Sequence, residues 1–191
     1  YYDPRNSCLN DVLDRKLGIP ISLSVVMMEI GRRVGLRVAG LGLPGHFIVS
    51  TGVGADRVLL DPFNAGAVLT PETAAQLVSR ATGRRVRLAE SHFAAASKRQ
   101  ILGRMLANLK SIYCKRTEWD KALCVVERLV LVDEDNSAWV RDRGTIRVNM
   151  GALQRGAGDW ERYITTNPGA ADVEAVRREL RKVRQGLAAL N

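Results

Sequence analysis

The spacing of apolar residues changes twice within the first 95 positions of the chain. Over residues 6–18, Leu9, Val12, Leu13 and Leu17 recur at helical spacing and Gly18 closes the run, which predicts a short amphipathic helix. Residues 21–35 (ISLSVVMMEIGRRVG) are apolar on nearly every face as far as Gly31, the pattern of a central buried helix. Three short apolar runs follow at 36–43, 46–50 and 57–61 and read as strands, with GVGAD turning the chain between the last two. Helical spacing returns over 70–83, with Thr70 as cap, Pro71 at the first helical position and Gly83 at the end. Residues 1–96 are therefore expected to pack helices on a small antiparallel sheet, an α+β arrangement.

From about Ser97 onward the pattern is helical throughout and repeats itself. Aligning WDKALCVVERLVLVDEDN with GAGDWERYITTNPG brings Ala122 opposite Gly156 and Glu134 opposite Pro168, an offset of 34 residues in both cases. Lys110 then faces Gly144, and Val126 faces Trp160. Paired helices with that period are the tetratricopeptide signature. The first repeat keeps the expected Tyr113 and Ala122, and the second keeps Gly144, Gly151 and Pro168. Glu134 stands where proline is usual and Gly156 where alanine is usual. Two degenerate repeats, closed by a charged helix over 172–190, make residues 97–191 an all-α segment.

Composition narrows the class without naming a function. Of 191 residues, 46% are hydrophobic and 26% charged, as in an ordinary globular protein. No apolar run is long enough for a bilayer, and no signal-peptide pattern opens the chain. It begins at Tyr1 rather than at a methionine, so a preceding segment is expected. Cys8, Cys114 and Cys124 are odd in number and lack metal-ligand spacing, which points to reduced thiols and a cytoplasmic location. The net charge of +9 is dispersed: residues 1–97 hold 11 basic and 8 acidic side chains, and residues 98–191 hold 18 and 12. No stacking platform of aromatics accompanies this charge, which argues against nucleic acid as the main partner.

One stretch carries recognisable chemistry. In PGHFIVSTGVGADRVLLDPFNAG, His46 and Asp61 fall on neighbouring expected strands, with Pro62 stopping the second. An imidazole held against a carboxylate is two thirds of a nucleophilic triad. The same bond could serve only to pin two strands together. A third metal ligand is lacking, no cofactor motif is present, and His92 falls on the linker between the halves.

The stretches YYDPRNSCLNDVL, GIPISLSVV, LPGHFIVS, LLDPFNAG, ILGRMLANLKSIY and RDRG together resemble the SirB-type (YchA-like) bacterial family, in the family's order and across almost the whole chain. That resemblance implies a transglutaminase-like domain of papain-like cysteine-peptidase topology, followed by tetratricopeptide repeats, with a regulatory role. It also implies a cysteine nucleophile at the start of the central helix, His46 as base and Asp61 as its orienting acid. Laid without gaps on this sequence, the cysteine position falls on Pro20. A shift of two residues would present Ser22, whose plainer reading is the helix N-cap; Ser24 lies deeper in the helix. Cys8 reads as a small core residue, and Cys114 and Cys124 as packing residues of the repeats.

Two functions stay open at this point. One is a non-catalytic module that binds a protein or peptide; the other is a hydrolase or acyltransferase using Ser22, His46 and Asp61. For the first, Lys110, Arg141, Arg143 and Arg147 are candidates to line a repeat face and favour an acidic peptide. Against that stands the prospect that Arg141 pairs with Asp142 or Glu161 and merely joins the repeats.

Overall fold

A computed structural model describes residues 2–189 of the chain. The chain divides into two compact units between Ile101 and Leu102.

The first unit opens with helix α1 (Leu9–Arg15), shorter than its periodicity suggests because Lys16 takes a left-handed conformation (φ 54°) and ends it before Gly18. Val12 turns into the core, while Leu13 and Leu17 stay exposed. Helix α2 (Pro20–Arg33) begins on Pro20, where the missing N–H costs no hydrogen bond. The expectation of a fully buried helix needs correction: only Pro20, Ile21, Ser22, Ser24 and Gly31 are buried, and Ile30 is 54% exposed.

Four strands form an antiparallel meander in sequence order: β1 (Val38–Leu43), β2 (His46–Thr51), β3 (Val58–Asp61) and β4 (Ala67–Leu69). Pro44 and Gly45 join β1 to β2; Gly45 has φ 70°, which only glycine adopts freely, and the turn sets the register Leu43↔His46. A Cβ on Gly40 would lie 2.8 Å from the Phe47 ring and 3.0 Å from Met28 Sδ, so its absence lets α2 approach the sheet. Helix α3 (Pro71–Thr82) starts and ends on the residues the sequence marks: Thr70 accepts from the Thr73 N–H and Gly83 is left-handed. Its Ala74 and Val78 pack with Leu41, Leu43, Ile48, Leu59 and Phe93 into one core. The outer edge of β1 is covered, since the Ala96 N–H donates to the Gly40 carbonyl at 2.8 Å. The opposite edge strand, β4, is three residues long and runs into Pro71 two residues after it ends.

Helix α4 (Lys98–Lys115) enters the second unit, which continues with α5 (Trp119–Val132), α6 (Ala138–Asn149), α7 (Leu153–Thr166) and α8 (Val173–Ala188). The expected closing helix over 172–190 corresponds to α8, and Leu190 lies outside the described residues. The 34-residue period is realised in the backbone. Both ends of α5 and α7 are that far apart, and their flanking residues match in conformation: φ −81° and −80° before the helices, −134° and −135° after them. Helices α6 and α7 meet at two glycines, and a Cβ on Gly156 would lie 2.8 Å from the Gly144 carbonyl oxygen. Trp160 fills the space beside Gly144 and donates from Nε1 to the Arg141 carbonyl at 3.2 Å. Among the described residues no helix is long and apolar enough to cross a membrane.

Candidate functional site

His46 begins β2 and Asp61 ends β3. Their side chains meet, His46 Nε2 to Asp61 Oδ2, at 2.9 Å. Both are buried, Asp61 completely. The carboxylate is held from three further directions because it caps the 3-10 turn Pro62–Asn64. Oδ1 accepts from the backbone N–H of Phe63 (3.0 Å) and Asn64 (3.4 Å), and Oδ2 accepts from Asn64 Nδ2 at 2.6 Å. Burial pushes the Asp61 carboxyl pKa up, but the hydrogen bonds from His46 and Asn64 outweigh it, with the electrostatic attraction of His46 and the Phe63 N–H adding to them. The net result lies below the ordinary range, so Asp61 stays ionised. Phe63 sets its ring edge-on to the imidazole, centroids 6.1 Å apart, and its turn packs against α2.

Pro20, Ser22 and Ser24 all lie in the first turns of α2 and are buried. Ser22 is not the N-cap; that position belongs to Ile19, because Pro20 fixes the first helical residue. From the third position the Ser22 hydroxyl turns back on its own helix start. It accepts from the Ile19 N–H at 3.0 Å and donates toward the carbonyls of Asn6 (2.6 Å) and Ile19 (3.1 Å). Ser22 is 0% exposed. The Ser24 hydroxyl is also fully enclosed and has no hydrogen-bond partner among the described residues.

Two of the three thiols, Cys8 and Cys114, are poor nucleophiles where they stand. Cys8 precedes α1, and burial pushes its pKa up, with Asp11 and Asp3 adding to the effect. Burial likewise raises that of Cys114. Cys124 does not pack as expected: it is exposed on α5, against the Arg128 guanidinium. His92 holds the local turn, its Nδ1 lying 3.1 Å from the Ala89 N–H. Among the described residues no three His, Cys, Asp or Glu side chains gather as metal ligands.

Every basic residue expected on a repeat face has an acidic neighbour. Lys110 of α4 pairs with Asp142 of α6 and lies 4.8 Å from the centre of the Trp139 ring. Arg141 pairs with Asp142 and with Asp172, not with Glu161, which instead meets Arg184. Arg143 and Arg147 converge on the buried Asp159 of α7, at 2.6 and 2.8 Å, and Arg147 also reaches Glu127. These contacts join α4, α5, α6, α7 and the start of α8. The acidic partners were not visible in the sequence because all but Asp142 are more than ten positions away. Asn64 and Asn6, which hold Asp61 and Ser22, were missed as well; the DPFN sequence at 61–64, with Asp at the cap of a tight turn, was the available signal for the first.

Residues 1–107 match the family model described as the transglutaminase-like superfamily, and residues 109–181 match that of the tetratricopeptide repeat. The chain belongs to the transglutaminase-like superfamily and carries tetratricopeptide repeats after that domain. It is 37% identical over 183 residues to a UPF0162 protein of Xylella fastidiosa, covering 94% of this chain and 65% of that protein's length. A UPF0162 protein of Vibrio cholerae is 28% identical over 181 residues, covering 94% of this chain and 67% of its own. Among solved structures, the tetratricopeptide-containing C-terminal domain of a Plasmodium falciparum FK506-binding protein is 21% identical, with a TM-score of 0.39 over 46% of this chain and 61% of that one.

Proposed function

We propose that this chain is a binding protein in which the transglutaminase-like fold persists without its nucleophile. The observation that carries this reading is the start of α2. A nucleophile there would gain from the helix dipole. Pro20 occupies the first position, and the one nearby hydroxyl with bonding partners, Ser22, is enclosed and engaged with Asn6 and Ile19. The His46–Asp61 pair then serves as a buried tie between β2 and β3. The tetratricopeptide repeats supply the binding role, since such units commonly hold peptides or helices. An open groove of 390 Å³ between α6 and α8, floored by Val148 and Val176, is large enough for part of one. The motifs quoted above favour a SirB-type, regulatory assignment. The three free thiols favour a reducing compartment, the cytoplasm.

The competing reading makes Ser22 an acylating residue with His46 as base and Asp61 as orienting acid. A fluorophosphonate probe separates the two. The binding reading expects no adduct on Ser22 in the folded chain, by intact-mass and peptide mass spectrometry. An adduct that forms in the native chain and disappears in His46→Ala would establish the enzyme instead.

A further inference from the structure

We infer that the groove between α3 and residues 84–88 is the docking site for an acidic peptide that carries a bulky apolar side chain. This rests on the reading of the chain as a binding protein and names the surface and the chemistry of the partner.

The segment after α3 is extended, and its side chains alternate: Arg85 and Arg87 are exposed, while Val86 and Leu88 are part-buried against the core. It is tied to the helix because the Val86 N–H donates to Ser79 Oγ at 2.9 Å, and that hydroxyl donates to the Ala75 carbonyl at 2.8 Å. Arg80, on the last turn of α3, lines the same groove, of 660 Å³, whose floor includes Ala75, Val86 and Leu88. Among the described residues none of Arg80, Arg85 and Arg87 meets a carboxylate, in contrast to Lys110, Arg141, Arg143 and Arg147. Their guanidinium groups can take a partner's carboxylates without first breaking an ion pair. Glu72, in the first turn of α3, is the one acidic residue among the described residues that line the groove, against three arginines.

Next to the groove, and sharing Pro71 and Leu88 with it, is a second cavity of 370 Å³ walled by Leu59, Leu69 and Phe93. Arg57 and Glu90 stand at this cavity, Arg57 donating to the Phe93 carbonyl. The cavity suits one large apolar side chain, and the arginines suit the carboxylates that follow it. A nucleic acid fits less well, because the basic groove presents no aromatic ring on which a base could stack.

The test uses the full chain and a fluorescein-labelled peptide in which one leucine precedes a run of glutamates, followed by anisotropy. Binding should weaken as salt is raised, and the triple variant Arg80→Glu, Arg85→Glu, Arg87→Glu should lose about tenfold or more in affinity. Replacing the leucine of the peptide by glycine should weaken binding about tenfold. The variant's melting temperature and circular dichroism check that the fold is kept, and the glutamine triple variant gives the same comparison without charge reversal. Unchanged affinity in both triple variants, or no salt-sensitive binding to the intact chain, overturns the site. Tighter binding of a single-stranded oligonucleotide of equal charge overturns the choice of partner. Neither result bears on Ser22 labelling, so failure of the groove and failure of the binding reading are told apart.

Discussion

The Ser22 hydroxyl donates to the main-chain carbonyl of Asn6, 2.6 Å away and 16 positions earlier in the chain. It thereby fastens the segment ahead of α1 to the first turn of α2, two residues after Pro20. In the binding reading proposed above, this bond acts as a clasp. Ser22→Ala removes this donor and the nearer of the two acceptors for the Ile19 N–H, which keeps only a 3.4 Å bond to the Asn6 carbonyl. The expected loss is about 1 kcal/mol, read by chemical denaturation. A variant as stable as the parent would mean that the hydroxyl carries no structural burden and is free for another role.

The Asp61 carboxylate makes a prediction about acid. Its folded-state pKa lies below the ordinary 3.8, so the folded protein favours the charged form more than the unfolded chain does. The stabilisation is fully present above the unfolded value and is lost as pH falls through the lower, folded one. Asp61→Asn should therefore be less stable than the parent near neutrality, with the gap narrowing below about pH 4. Denaturation curves at a series of pH values check this; a gap that stays constant down to pH 2 would assign the effect to shape rather than charge.

In the repeats, the buried Asp159 holds two arginines at once. Asp159→Ala strands Arg143 and leaves Arg147 only Glu127, and should cost about 3 kcal/mol. Arg143→Ala should cost less, since Arg147 still neutralises the carboxylate. Thermal melts of the two variants give the order. If Arg143→Ala instead leaves stability unchanged and abolishes partner binding, the arginine belongs to a docking face after all.

Gly156 stands where tetratricopeptide repeats usually carry alanine, yet restoring the alanine should harm this protein. The new Cβ would lie 2.6 Å from Val148 Cγ2 and 2.8 Å from the Gly144 carbonyl, and a backbone atom cannot swing aside. A loss of about 1–3 kcal/mol follows, against the small gain that a helix ordinarily takes from glycine to alanine. A higher melting temperature for Gly156→Ala would show that α6 and α7 can separate at little cost.

How far the sequence led depends on whether the deciding partner is near in the chain. Helix α3 was legible to the residue because Thr70, Pro71 and Gly83 act locally. The repeat period was legible because α5 and α7 reproduce one another down to their flanking backbone angles. Strand β4 was missed: three residues bounded by Gly66 and Thr70, with Val68 exposed, leave no alternation to read. The apolar run of α2 misled, because composition records how oily a helix is but not which side is covered. The contact between His46 and Asp61 was legible because the two fall on neighbouring expected strands. The bonds that decide what Ser22, Arg141 and Arg143 do come from Asn6, Asp172 and Asp159, and spacing carries no trace of them.

The meander's two margins have a consequence for how the protein behaves when crowded. A sheet margin with unspent amide groups can recruit the same margin of a neighbour, and so seed fibres. One margin here is already occupied by the chain's own Ala96 amide, and the other offers only a short stub halted by Pro71. Neither gives an incoming strand enough length to zip along. The molecule can thus keep Val68 bare to solvent without inviting copies of itself to stack there.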